Sequence, residues 1–150
     1  MGEIRRVRTL AADPQRIWDV LANFGSVSSW AEFVDHSCLL EHGEDNGAIG
    51  ASRRIQLGRN TLVERITDFE PPTTLGYDVE GLPRRARRLR SRWTLRPIAP
   101  GFTEVTLAST VDIGSNPAQR LAERIFGRVT VKQLDLLLAG LAKRVEGSDE

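Results

Sequence analysis

The stretch NPAQRLAERIFGRVTVKQLDLLLAGLAKRV, residues 116–145, decides how the rest of the chain must be arranged. It reads as one uninterrupted helix. Asn116 is a residue type that caps a first turn, and Pro117 suits the first helical position, where its missing N–H costs nothing. Leu121, Ile125 and Val129 recur every four residues, and Leu134, Leu137, Leu138, Leu141 and Val145 continue the apolar stripe. A helix of this length spans roughly 40 Å, more than the width of a small domain. Such a helix has to lie across something broad.

What precedes it has the period of strands. Ile4–Ala12 predicts a first strand, and Asp13-Pro14 a cap and first turn for a helix carrying Ile17, Val20, Leu21 and Phe24. Gly25 is expected to stop that helix, and residues 26–30 to form a second, shorter one. From Phe33 the period is two. Strands are predicted over 33–40, 50–58, 61–69, 73–80, 84–96 and 102–113, separated by turn-rich or proline-containing breaks. In 61–69 both faces are partly apolar (Leu62 and Ile66; Val63 and Phe69), so the pattern leaves its facing open. The expectation is an α+β fold in one domain, residues 1–150. A seven-stranded, curved antiparallel sheet wraps the long C-terminal helix, and two short helices follow the first strand. One helix cannot fill a wide concave face, so a cavity is expected between them. The 121–129 half of the helix, with Gly127, is expected to cover that cavity, and the half from Leu134 to Val145 to anchor it.

Bulk properties bound the function. Apolar content of 40% and charged content of 27% are ordinary for a globular domain. Cys38 is the single cysteine and His36 and His42 the only histidines, so neither an internal disulfide nor a metal site is expected, and no cofactor is. No apolar run approaches a membrane span, and residues 1–6 lack the apolar core of a signal peptide; a cytoplasmic protein is expected. Net charge is +1, and of 21 basic residues only Lys132 and Lys143 are lysine.

Several of these segments carry a family resemblance. Ala12-Asp13-Pro14-Gln15-Arg16-Ile17-Trp18-Asp19-Val20-Leu21 opens the first helix, and Trp30 closes the second. Gly47–Gly50 marks the start of the third strand. Glu64-Arg65-Ile66 with Asp68-Phe69-Glu70-Pro71-Pro72 matches the end of the fourth. Trp93-Thr94-Leu95-Arg96-Pro97 and Gly101-Phe102-Thr103-Glu104-Val105-Thr106 match the sixth and seventh. With this element order the chain resembles the START/Bet v 1-like (SRPBCC) superfamily, in particular its bacterial polyketide cyclase/dehydrase-like branch. The resemblance implies a helix-grip fold with a hydrophobic pocket under the long helix. It also implies a lipid, polyketide or aromatic metabolite as ligand, and in some members cyclisation or dehydration.

The candidate ligand-binding residues follow from strand parity and the helix stripe: Ile55, Leu57, Tyr77, Leu89, Ser91, Trp93, Leu107 and Ser109 from the sheet, and Leu121, Ile125, Phe126 and Val129 from the helix. Tyr77, Ser91 and Ser109 are the informative ones, because a buried hydroxyl needs a partner and would orient a ligand. Arg53 shares the parity of Ile55 and Leu57. If it faced inward it would stabilise an enolate, but a surface position is expected for it and for Arg65. Glu64 and Asp68 are candidate bases on the same footing. His36 and Cys38 share one face of a strand without the third group a nucleophile pair needs, and a buried Cys38 is expected.

The run from Arg84 to Arg96 holds seven arginines, with 84, 88, 90, 92 and 96 on the face opposite Trp93. A stripe of this kind fits an anionic partner. Pairing with carboxylates across strands, Glu104 and Asp112 among them, is the preferred expectation, and a nucleic-acid partner is not expected. The oligomeric state is left open between monomer and homodimer. Three functions therefore stand: a carrier or sensor of a small hydrophobic ligand, a polyketide cyclase, aromatase or dehydratase, and an interaction protein using its Arg face. A buried, hydrogen-bonded Arg or a Tyr–acid pair in the pocket would favour the enzyme, and a wholly apolar, closed cavity the carrier. Exposed, unpaired arginines over a filled cavity would favour the third.

Overall fold

A computed structural model of the protein describes residues 2–80, 88–112 and 117–146, with the side chains of 2, 60, 88, 111, 112 and 117–130 outside the described set. The strands are β1 (Gly2–Leu10), β2 (His36–Glu41), β3 (Ser52–Leu57), β4 (Asn60–Glu70), β5 (Thr74–Glu80), β6 (Arg88–Ala99) and β7 (Phe102–Asp112). Helix α1 (Pro14–Ala22) and a short 3₁₀ helix (Phe24–Ser29) follow β1, and α2 (Pro117–Glu146) closes the chain. All strand pairs are antiparallel in one sheet, ordered β1-β7-β6-β5-β4-β3-β2. This is the helix-grip arrangement expected from the element order.

Differences lie at boundaries. Helix α1 ends at Ala22, ahead of Gly25, and Phe24 belongs to the 3₁₀ helix instead. Asp13 holds the N-cap position, but its carboxylate accepts no capping bond. Strand β2 starts at His36 because Val34 N–H bonds the Ala31 carbonyl, keeping Phe33 and Val34 in a turn. The open facing of β4 has a specific cause. The register shifts between Ile66 and Asp68, so the inward parity of Leu62, Glu64 and Ile66 passes to Phe69 beyond the bulge.

The core sits between the concave sheet face and α2. Leu134, Leu138, Leu141, Ala142 and Val145 are buried, in one cluster with Trp18, Leu21, Leu75, Trp93, Leu95, Val105 and Leu107. Each fully buried side chain of this kind contributes about 1.5–3 kcal/mol. Polar ties fix the helix in place. Arg6 Nε donates to Asp135 at 2.7 Å, Ala11 N–H to Glu146 at 2.7 Å, and Arg16 Nε to the Val145 carbonyl at 2.8 Å. The outer edge of β2 is covered by the 3₁₀ helix. Ser37 Oγ donates to the Gly25 carbonyl and accepts from Ser28 N–H. That cover shields an edge that would otherwise pair with another chain.

Gly140 lets α2 come close to this short helix. A Cβ there would sit 2.3 Å from the Trp30 carbonyl oxygen, while the Trp30 ring packs edge-on against Trp93, with centroids 6.0 Å apart. Ordinary helix propensity favours alanine over glycine, so the contact decides the sign. Gly140→Ala is expected to destabilise the protein by about 1–3 kcal/mol, measurable by urea denaturation; an unchanged or higher midpoint would show that the contact relaxes freely.

Candidate functional site

Between the sheet and α2, the described residues line a cavity of about 80 Å³. Its apolar lining comes from Val27, Phe33 and Val34 before and within the turn to β2, from Ile55, Leu57, Leu62, Val79 and Leu89 on the sheet, and from Leu134 and Leu137 on α2. Its polar lining is Arg53, Glu64, Tyr77, Ser91, Ser109 and Gln133. At about 30 Å³ per water, the space admits a few waters or one end of a larger molecule.

The polar groups are tightly organised. β3 and β4 pair Arg53 directly opposite Glu64, and both side chains turn inward with the alternation of Ile55 and Leu62. Arg53 is only 5% exposed. Its Nε donates to Glu64 Oε1 at 2.8 Å, its second terminal nitrogen lies 2.6 Å from the same oxygen, and the other donates to the Phe24 carbonyl at 2.8 Å. The guanidinium carbon lies 3.8 Å from the centre of the Phe24 ring and 4.9 Å from that of Tyr77, within cation–π range. Phe24 and Tyr77 meet edge to face at 5.6 Å. The expectation that Arg53 lies at the surface is therefore wrong. Arg is rarely buried unpaired, and here the pairing is complete: a carboxylate, a carbonyl and two ring faces replace the water it loses.

Tyr77 is the second focus. Trp93 Nε1 donates to its hydroxyl oxygen at 3.2 Å, and the Arg53 guanidinium lies over its ring. Among the described residues, none accepts the Tyr77 O–H proton. Burial, reinforced by the Glu64 charge, pushes its pKa from 10.0 up to about 12, against the opposing effect of Arg53 and the bond from Trp93. Tyr77 is therefore a neutral donor across the physiological range. Ser91 and Ser109 bond each other at 2.8 Å across β6 and β7.

Ile55, Leu57, Tyr77, Leu89, Ser91 and Ser109 thus come together around this space. Trp93 and Leu107, from the same predicted set, are buried in the packed core and are absent from the described lining. Leu121, Ile125, Phe126 and Val129, and the surroundings of Gly127, lie outside the described residues. The covering half of α2 thus lies outside the described residues, while the anchoring half packs into the core through Leu134, Leu138, Leu141 and Val145, and its Leu134 and Leu137 also line the cavity. Glu64 was legible only as an alternating strand residue. Its inward direction is set by its pairing with Arg53.

Elsewhere, Arg65 is partly exposed and bonds Glu80 and the Gly50 carbonyl. Cys38 is exposed, against expectation, because it pairs with Arg54 on the face opposite the inward Arg53 and Ile55. On the outer face, Arg90 pairs with Asp78 at 2.8 Å, Arg92 with Asp68 at 2.6 Å and Arg96 with Glu104 at 3.0 Å. Arg84, Arg85 and Arg87, and the side chains of Arg88 and Asp112, lie outside the described residues. Among those residues, no helix is long and apolar enough to cross a membrane.

A curved antiparallel sheet gripping a long C-terminal helix is the helix-grip architecture of SRPBCC proteins. The chain belongs to the family described as polyketide cyclase / dehydrase and lipid transport, which matches residues 1–146. Solved structures share the fold. A START superfamily protein from Mycobacterium smegmatis is similar at a TM-score of 0.77 and 13% identity, over 97% of each chain. The ZhuI aromatase/cyclase from a Streptomyces species has a TM-score of 0.73 and 18% identity, over 96% of this chain and 95% of that one. A protein from Thermobifida fusca has a TM-score of 0.78 and 22% identity, over 100% and 97%. No curated protein matches the sequence.

Two outcomes are expected from this cluster. Arg53→Met leaves Glu64 without its partner and should cost about 3–5 kcal/mol, whereas Arg53→Met with Glu64→Leu should recover most of that loss. Urea denaturation of both variants decides it; a double variant as unstable as the single would show that packing, not charge, dominates. Raised above its unfolded value, the Tyr77 pKa contributes stability that is fully present below about pH 10 and lost as pH rises toward 12. The loss should amount to roughly 2–3 kcal/mol, and that alkaline phase should vanish in Tyr77→Phe.

Proposed function

We propose that this protein, as a single domain, holds a small, largely apolar ligand between sheet and α2, as a carrier or sensor. The observation that carries the reading is the Tyr77 hydroxyl. Tyr77 is buried and lines the cavity, Trp93 already donates to its oxygen, and its proton lacks a described acceptor. An unmet donor in an apolar site is costly, and a ligand carbonyl or hydroxyl oxygen would meet it. The rest of the ligand gains affinity by burying apolar surface. The family description, which includes lipid transport, supports the same reading. A cytoplasmic location belongs to this proposal.

The second reading is a cyclase or dehydrase acting in the same cavity, as the printed name of ZhuI describes for that protein. The buried Arg53–Glu64–Tyr77 cluster favours it, because a hydrogen-bonded Arg beside a Tyr can polarise a carbonyl. Against it, Arg53 is committed to Glu64, to Phe24 and to two rings, so its charge is neutralised before any substrate arrives. Among the described arginines of the outer face, 90, 92 and 96 are paired, which gives an Arg-directed anionic partner the weakest support.

The probe pair for a test is cyclohexanone and methylenecyclohexane, which have nearly the same shape and differ in the oxygen. NMR titration of wild type should show tighter binding of the ketone. Tyr77→Phe should weaken the ketone by on the order of 1 kcal/mol, about fivefold, and leave the hydrocarbon unchanged. Equal affinity for both probes in wild type would remove Tyr77 from the site, and no response to either would count against the cavity as a binding site.

A further inference from the structure

The two carboxylate oxygens of Glu64 have unequal surroundings. Oε1 takes both Arg53 contacts, at 2.8 and 2.6 Å. Among the described residues, none donates to Oε2. Glu64 is only 9% exposed, and it lines the cavity. A buried anionic oxygen without a donor is costly, more so than a neutral hydroxyl. The wall therefore presents two unmet groups of opposite kind, a donor at Tyr77 and an acceptor at Glu64.

Strand register sets how far apart they stand. Glu64 pairs with Val79 across β4 and β5, and Tyr77 lies two residues before Val79 on the same face. The two residues are diagonal neighbours, with Cβ atoms roughly 7 Å apart. They share one guanidinium, which is bonded to Glu64 and lies 4.9 Å from the centre of the Tyr77 ring. The Phe24 carbonyl holds Arg53 from another side. The carboxylate is thus fixed through Oε1 while Oε2 stays open.

An acceptor beside a donor is what proton transfer next to a carbonyl requires. We propose that Glu64 Oε2 and the Tyr77 hydroxyl act as base and oxyanion donor on a bound ketone, exchanging a hydrogen on the carbon next to its carbonyl. This rests on the binding reading above, in which a ligand oxygen meets Tyr77, and goes beyond it by giving Glu64 a chemical role. The step balances within the site. The bond between the adjacent carbon and its hydrogen breaks, and the proton forms an O–H bond with Oε2. The electron pair left behind forms the carbon–carbon double bond of an enolate, and the carbonyl π pair moves onto the oxygen that Tyr77 holds. Return of a proton from Glu64 to carbon regenerates the ketone, so no oxidant, reductant or second reactant is consumed. Negative charge passes from the carboxylate to the enolate oxygen, and both border the same guanidinium, so Arg53 keeps a counter-ion throughout.

The test follows the α-hydrogen signals of cyclohexanone in D₂O by proton NMR, with the full chain against buffer alone. Wild type is expected to speed their loss. Tyr77→Phe and Glu64→Gln should each lower the protein-dependent rate on the order of a hundredfold. Thermal unfolding verifies that each variant is folded. Should Glu64→Gln fail to fold because Arg53 loses its counter-charge, the Arg53→Met, Glu64→Leu double variant replaces it and is expected to lose exchange as well. Exchange that persists undiminished in either folded Glu64 variant would overturn Glu64 as the base. Wild type that binds cyclohexanone yet exchanges it no faster than buffer would overturn the proton transfer and leave the binding reading standing. Neither binding nor exchange would overturn both.

Discussion

The burial of one face of α2 against a concave sheet is the interaction on which everything else in this protein rests. Leu134, Leu138, Leu141 and Val145 recur at helical spacing and meet the inward residues of the strands. The sheet is wide because its strands follow one another through short connections, and it twists because strands of L-residues twist. A twisted sheet of this breadth has a hollow that one helix bridges without filling. The space between them is therefore a consequence of the fold and needs no separate explanation. What does need one is the chemistry of its lining.

That lining departs from an all-apolar core at one place. Arg53 and Glu64 are cross-strand neighbours turned inward, and their charges are tolerated because each answers the other, with the Phe24 carbonyl and two aromatic faces completing the surroundings. A buried ion pair seldom adds net stability over an apolar alternative. Its presence here ties the 3₁₀ helix to the sheet and shapes the field at Tyr77. The same guanidinium packs against both the Tyr77 and the Phe24 rings.

Much of the fold was legible before the structure. Hydrophobic period and turn chemistry placed every strand and the long helix, because those signals are local. Where the reading slipped, the cause was contact with something distant in sequence. Phe24 left α1 for its own turn because it packs on Arg53 and Tyr77. The β4 pattern looked two-faced because a bulge changes its parity midway. Cys38 is exposed because the register sets it beside Arg54 on the outer face, a fact of strand pairing that the alternation of β2 alone does not encode. The candidate lining was partly legible: parity found Tyr77, Ser91 and Ser109, but could not separate residues that border space from Trp93 and Leu107, which fill it.

By itself, then, the sequence determined which segments are strands and helices, which of their faces are apolar, and that one long helix must cover a broad sheet. These follow from periodicity, capping and turn preference, which act over a few residues. The tertiary structure alone decided that Arg53 is buried, that Glu64 is its partner, that the Tyr77 proton has no described acceptor, and that the Phe24 ring packs on both Arg53 and Tyr77. Each of those depends on groups from different elements meeting at a few ångströms. The free energy of a buried charge or an unmet donor is set by what surrounds it, and the surroundings exist only once the chain has folded.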